Sequence, residues 1–154
     1  MLAACGGFLL AILWMDLIFD TQQFRHRHDP ELPEPVLNSI ATYYHRATTT
    51  SRPMPHLIAA VMAILLGGLI IETIRWQDPI WLAPLATLLA AAAIAPAIIR
   101  TVSNAVRLGA RTDSLPEQSR LARSILRDHL CSAAFMLTFV VLWSARGPLA
   151  DLVH

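Results

Sequence analysis

Two carboxylates, Asp16 and Asp20, stand four residues apart near the end of a long apolar run, so a helix carries both on one face. Acids at such a depth are costly to hold charged and are suited to accept protons or hydrogen bonds from a ligand. Groups of compatible chemistry flank the other apolar runs. Arg52 and His56 precede the second, Asn104 and Arg107 follow the third, and Arg127, Asp128 and His129 precede the fourth. Arginines would neutralise charge, while Asn104 and His129 would orient a ligand. The expected ligand-binding or polar cluster is therefore Asp16, Asp20, Arg52, His56, Asn104, Arg107, Arg127 and His129.

A structural role competes with this one. Asp16 and Asp20 could pair with Arg107 or Arg127 and clamp the helices together, and arginines at helix ends also reach into lipid headgroups. Asp16, Asp20, His56 and His129 are chemically able to ligate a metal. No tight spacing supports this, and no metal is assigned. The 25–29 tract, with Arg25, His26, Arg27, His28 and Asp29, reads as a solvated loop. Tyr43 and Tyr44 read as packing residues rather than catalytic phenols. There is no phosphate loop, dinucleotide fingerprint, Cys-x-x-Cys or zincin motif, so neither a cofactor nor a catalytic residue is named.

The elements that must position these groups are four apolar runs, at about 2–19, 57–74, 80–99 and 130–145. A hydrocarbon layer of about 30 Å takes about 20 helical residues. The fourth run is the shortest and needs its flanks to complete a crossing. Composition agrees: 55% of residues are hydrophobic, 15% are charged, and the mean hydropathy is +0.51. A soluble domain carries about 25% charged residues. With a net charge of +1, no concentrated basic surface for nucleic acid is expected. The first run lacks the basic start and cleavage site of a signal peptide.

All twelve basic residues are arginine, and ten lie in the 20–56 and 100–129 connectors. That bias places both connectors in the cytoplasm and both termini outside it, in a multi-pass protein of the inner (plasma) membrane. Trp76, Trp81 and Trp143 fall at the outer boundary, where aromatic belts are expected. The alanine-rich, lysine-free composition suggests a bacterial source.

The connectors carry helical signals of their own. Val36, Leu37, Ile40, Tyr43, Tyr44 and Ala47 predict one apolar face of a helix over 35–48. Asp78-Pro79 reads as the start of the third span, whose helix would run on to Leu108 and stop near Gly109. Ser114-Leu115-Pro116-Glu117 reads as a capping box that opens a helix continuous with the fourth span. The last two spans would then form a hairpin reaching about three turns into the cytoplasm, with the 35–48 helix leaning on it. Pro84 and Pro96 are candidate kinks, and Gly67-Gly68 permits close packing. Cys5 and Cys131 would sit roughly 20 to 30 Å apart across the layer, too far for a disulfide.

The stretch Arg100-Thr101-Val102-Ser103-Asn104, the polar loop after it, and Arg127-Asp128-His129 at the head of the last span resemble the anthrone-oxygenase-like family of small membrane proteins. In that family an asparagine closes the third helix, and a basic segment with histidine opens the fourth. The four-helix layout and the amphipathic segment before the second span are also similar. The resemblance implies a cofactor-free, oxygenase-like fold in which Asn104 and His129 are the residues to suspect.

The expected fold is a single all-α domain over 1–154, a four-helix transmembrane bundle with a short helical cytoplasmic extension. The expected partners are the lipid bilayer and a small apolar or aromatic ligand, held at the cytoplasmic end with oxidoreductase-like chemistry. Two alternatives stay open. One is an oligomeric proton or ion translocator, and the other is an accessory subunit that meets a membrane complex through its apolar surface.

Overall fold

In a computed structural model the described residues are 1–51, 53–75 and 80–146. They are helical nearly throughout, with no strand among them. The elements are α1 (Leu2–Asp20), a 3-10 turn (Thr21–His26), α2 (Glu34–Thr49), α3 (Pro53–Ile74), α4 (Leu82–Pro96), a π turn (Ala97–Thr101), α5 (Val102–Ala110) and α6 (Leu115–Ser144). Four helical stretches, Leu2–His26, Pro53–Ile74, Leu82–Ala110 and Leu115–Ser144, are long and apolar enough to cross a membrane. Arg52, Trp76 and the helix start at Asp78-Pro79 lie outside the described residues.

The long helices close around one apolar core. α1 packs against α3 and α6, and α4 packs against the same two. Leu9, Leu65, Leu69, Ala90, Met136 and Phe139 fill the space between them. Alanines on α4 let it approach its neighbours closely, which is how helices associate where lipid removes the hydrophobic drive. Gly6 serves the same end on α1, since a Cβ there would meet the Phe139 ring at 2.6 Å. Of the glycine pair in α3, Gly68 faces Leu2 and Gly67 has open space. Cys5 and Cys131 are free thiols.

Both connectors lie at the same end and share a second core. Leu37, Ile40 and Tyr44 of α2 meet Leu108 of α5 and Leu121 and Ile125 of α6. Leu32 seals its edge, with its backbone N–H donating to Ser119 Oγ at 3.0 Å. The predicted 35–48 helix is present within a residue at each end, with Pro35 in its first turn. It leans on the α5–α6 hairpin as its apolar spacing requires. The approach is tightest at Gly109, where a Cβ would stand 2.9 Å from the backbone N of His45.

The helix after the third span ends at Ala110, within a residue of the expected stop near Gly109, and Arg111 takes the left-handed conformation, φ 57°. Gly109 is used for contact with α2, so the reversal falls two residues later. The capping box needs correction: Ser114 is the N-cap of α6 but makes no side-chain capping bond. Glu117, the other half of the expected capping box, is drawn to Arg120 (2.8 Å) and Arg107 (3.1 Å) instead.

Pro96 marks the break in the third stretch. Its missing N–H removes one rung of the helical ladder, and the π turn Ala97–Thr101 follows at once. Pro84 lies in the first turn of α4, where a missing N–H is harmless. α6 runs without interruption for 30 residues, about 45 Å at the usual rise.

Candidate functional site

α1 ends with its two acids one turn apart, facing α2 and α6. α2 sets two adjacent phenols against them. The Tyr43 hydroxyl donates to Asp16 Oδ1 at 2.6 Å, and the Tyr44 hydroxyl lies 2.9 Å from both oxygens of Asp20. Tyr43 is steadied by stacking on Phe19, with ring centroids 4.1 Å apart. From α6, His129 Nδ1 lies 2.7 Å from Asp20 Oδ2, while its Nε2 is 3.8 Å from Asp16 Oδ2.

Asp20 is fully buried, and a carboxylate can only accept. The contact therefore assigns the proton on His129 to Nδ1 and leaves Nε2 free to accept when the ring is neutral. Burial and the neighbouring carboxylates push the hydroxyls of Tyr43 and Tyr44 up, so both phenols remain protonated donors. The result is an ordered chain of Tyr44, Asp20 and His129, with Asp16 and Tyr43 beside it.

Asp128, next in sequence to His129, faces the third stretch instead. It is also buried, at 1% exposure, and receives the Arg100 guanidinium in a two-pronged contact, with Nε 2.9 Å from Oδ2. Thr101 Oγ1 is 3.0 Å from the same Oδ2. Both partners sit on the π turn after Pro96. The helical irregularity thus delivers two donors to one acid, locking the third stretch to α6 beside the imidazole.

Beneath these groups lies a cavity of about 160 Å³ between the long helices. Leu9, Leu13, Ile58, Met62, Ile94 and Met136 give it aliphatic walls, and Asp16, Thr101, His129 and Ser132 are its polar lining. A second cavity of about 360 Å³ lies between α1, α2 and α3, with Tyr43, Arg46 and Ser51 among its walls. Ile12, Asp16 and Ile58 line both, so Asp16 stands at their junction.

Of the eight residues expected from the sequence, the structure brings three together: Asp16, Asp20 and His129. The arginine clamp is not made. Arg107 turns to Asp113 (2.9 Å) and Glu117 (3.1 Å) on the hairpin, and Arg127 is exposed with no side-chain partner among the described residues. Phenols take the place of guanidinium groups. His56 is exposed and Asn104 half-buried, each also without a side-chain partner among the described residues. Arg52 lies outside them.

Sequence reasoning missed the polar roles of Tyr43 and Tyr44 and the grouping of Arg100, Thr101 and Asp128. The spacing of the 35–48 helix placed both tyrosines near its apolar face. Nothing in the spacing says that this face meets α1 at the level of its acids. The 25–29 tract is exposed at four of its five residues, as a solvated loop would be, and is anchored at its start. Gln23 just before it is buried and donates to the Ala122 carbonyl at 3.2 Å, and His26 pairs with Asp29 at 2.8 Å. No group of three metal-ligating side chains suited to an ion is found among the described residues. Compared with known proteins, the chain matches no family model, no curated protein and no solved structure.

Proposed function

We propose that the chain is an integral protein of the bacterial inner membrane, a four-helix transmembrane bundle. Its cytoplasmic end binds a small apolar or aromatic molecule carrying one hydrogen-bonding group. Support for the bilayer comes from the surface: Trp14, Ile18, Ile70, Ile74, Leu88 and Ile99 are exposed, which water would penalise and lipid would not. The shared end of the connectors carries most of the arginines, which supports a cytoplasmic position for that end and an outside position for both termini.

The observation that carries the ligand reading is an aliphatic cavity with Asp16 and His129 in its polar lining. At about 160 Å³ it is close to the roughly 150 Å³ of an apolar cavity that accepts a single benzene ring. The Nε2 of His129 would take a proton from a phenol-like group in the cavity, and Asp20, on Nδ1, would stabilise the imidazolium that results. Asp16, 3.8 Å from the same Nε2, adds a second carboxylate that balances the imidazolium. The Asp16–Tyr43 contact divides the inner cavity from the outer one, which serves as the route of access. An oxidoreductase-like activity would follow this proton transfer and would need an electron acceptor from outside the chain.

The test is mass spectrometry of apolar compounds extracted from the purified protein, followed by titration with a monophenol. A bound aromatic compound or quinone, with phenol affinity reduced at least about tenfold by Asp16→Asn, supports the proposal. An empty protein that ignores the phenol removes it. The alternatives separate cleanly: an oligomeric translocator passes protons or ions in liposomes, and an accessory subunit co-purifies with a larger complex. Among the described residues the core between the long helices, beyond the cluster, is aliphatic, which favours binding over conduction.

A further inference from the structure

Arg120, Arg123 and Arg127 follow one another at steps of three and four, so they form a single stripe on α6. The stripe lines a basin of about 440 Å³, with Ser119, Ser124 and Pro30 also in its wall and no acid among its described lining residues. Arg123 ties the 26–30 segment in place, donating to the carbonyls of Asp29 (2.5 Å) and Pro30 (3.4 Å). Arg120 is held by Glu117 at 2.8 Å. Arg127 is exposed and makes no side-chain contact among the described residues.

We propose that this basin binds an anion bearing two phosphate groups. A guanidinium has five donors in a planar fork that matches phosphate oxygens. The three forks here are spread over about 10 Å of helix, too far for one phosphate to satisfy all of them. Two linked phosphates fit that spread. Arg127 and His129 are two positions apart and so point to different sides of α6, which separates this basin from the cavity beside Asp16. The basin lies just before the apolar part of α6 begins at Leu130, at headgroup level if that part is in lipid. The same chemistry is supplied by a two-phosphate lipid or by a free diphosphate.

The experiment titrates the full-length protein in detergent with cardiolipin, phosphatidylglycerol and phosphatidylcholine, read by native mass spectrometry, with and without inorganic pyrophosphate. Cardiolipin is expected to bind about tenfold more tightly than phosphatidylglycerol. Arg120→Gln and Arg127→Gln are each expected to weaken it about tenfold, the loss of one charge-assisted contact. Arg25→Gln, an exposed arginine that lines a different hollow and not the basin, should leave affinity unchanged. If pyrophosphate displaces the lipid, the site takes free diphosphates as well. If it does not, the lipid is the ligand, and either result supports the site. Equal affinity for one- and two-phosphate lipids overturns the proposal. So does a loss with Arg25→Gln as large as with Arg127→Gln, which would show diffuse surface charge. Because Arg127 is exposed and makes no side-chain contact among the described residues, Arg127→Gln keeps the fold and remains a valid test.

Discussion

The imidazole Nδ1 of His129 meets the carboxylate of Asp20 at 2.7 Å, across 109 residues of sequence. The contact joins the first long helix to the last. Asp20 has no exposed surface and accepts from Tyr44 as well, so its charge is balanced entirely by protein donors. Several measurable consequences follow from this pairing and its surroundings.

Asp20→Ala removes a buried acceptor and leaves both Tyr44 and His129 without their partner. A loss of about 3 kcal/mol is expected. Asp16→Asn keeps an acceptor for Tyr43, and about 1 kcal/mol is expected. Thermal unfolding in detergent ranks the two. Equal, small losses would show that the buried chain of hydrogen bonds contributes little.

The two tyrosines are the only ones in the chain, which makes alkaline titration specific. Burial first, and the carboxylates second, raise the Tyr44 hydroxyl above its unfolded value of about 10. A raised folded pKa means stability is complete below about pH 10 and is lost as pH climbs through the folded value. Tyrosinate absorbance should therefore stay low to about pH 11 while the fold persists, then appear together with unfolding. Smooth titration near pH 10 with the fold intact would contradict the burial of both phenols.

Gly109→Ala places a methyl group 2.9 Å from the His45 backbone N, so α2 must shift off the hairpin. A penalty of about 1–3 kcal/mol is expected. Hydrogen exchange should locate the loosening in residues 34–49 and leave the long helices protected. Gly67→Ala, which meets open space, is the neutral comparison.

Single cysteines at Arg27 and Asp113, in a background with Cys5 and Cys131 replaced by serine, should react with an impermeant label from the same side of the membrane. A cysteine at Met1 should react from the other. Labelling of Arg27→Cys and Asp113→Cys from opposite sides would separate the connectors that pack together here.

Much of the helical layout was legible in advance, because it depends on local pattern. The runs of Leu, Ile and Ala marked the spans, and the three- and four-residue spacing from Val36 to Ala47 marked α2 to within a residue. Continuity of α6 from Leu115 followed from the absence of any interior breaker. Gly109 marked the helix end to within a residue, but the left-handed turn falls at Arg111, and the glycine's lack of a side chain is spent on the approach of α2.

Composition and periodicity, by themselves, determined that long apolar helices form and that acids, arginines and a histidine gather near their ends, because both depend on residues close in the chain. Which acid meets which donor was decided only by tertiary packing. An arginine on an exposed face, such as Arg127, points away from Asp20, which packs directly against the buried face of α6 that carries His129. Tyr44, carried on α2, reaches it directly. Rotation of each helix about its axis selected phenols for Asp16 and Asp20 and reserved a guanidinium for Asp128. No spacing in the sequence records that rotation, because it results from how four apolar surfaces fill one common space.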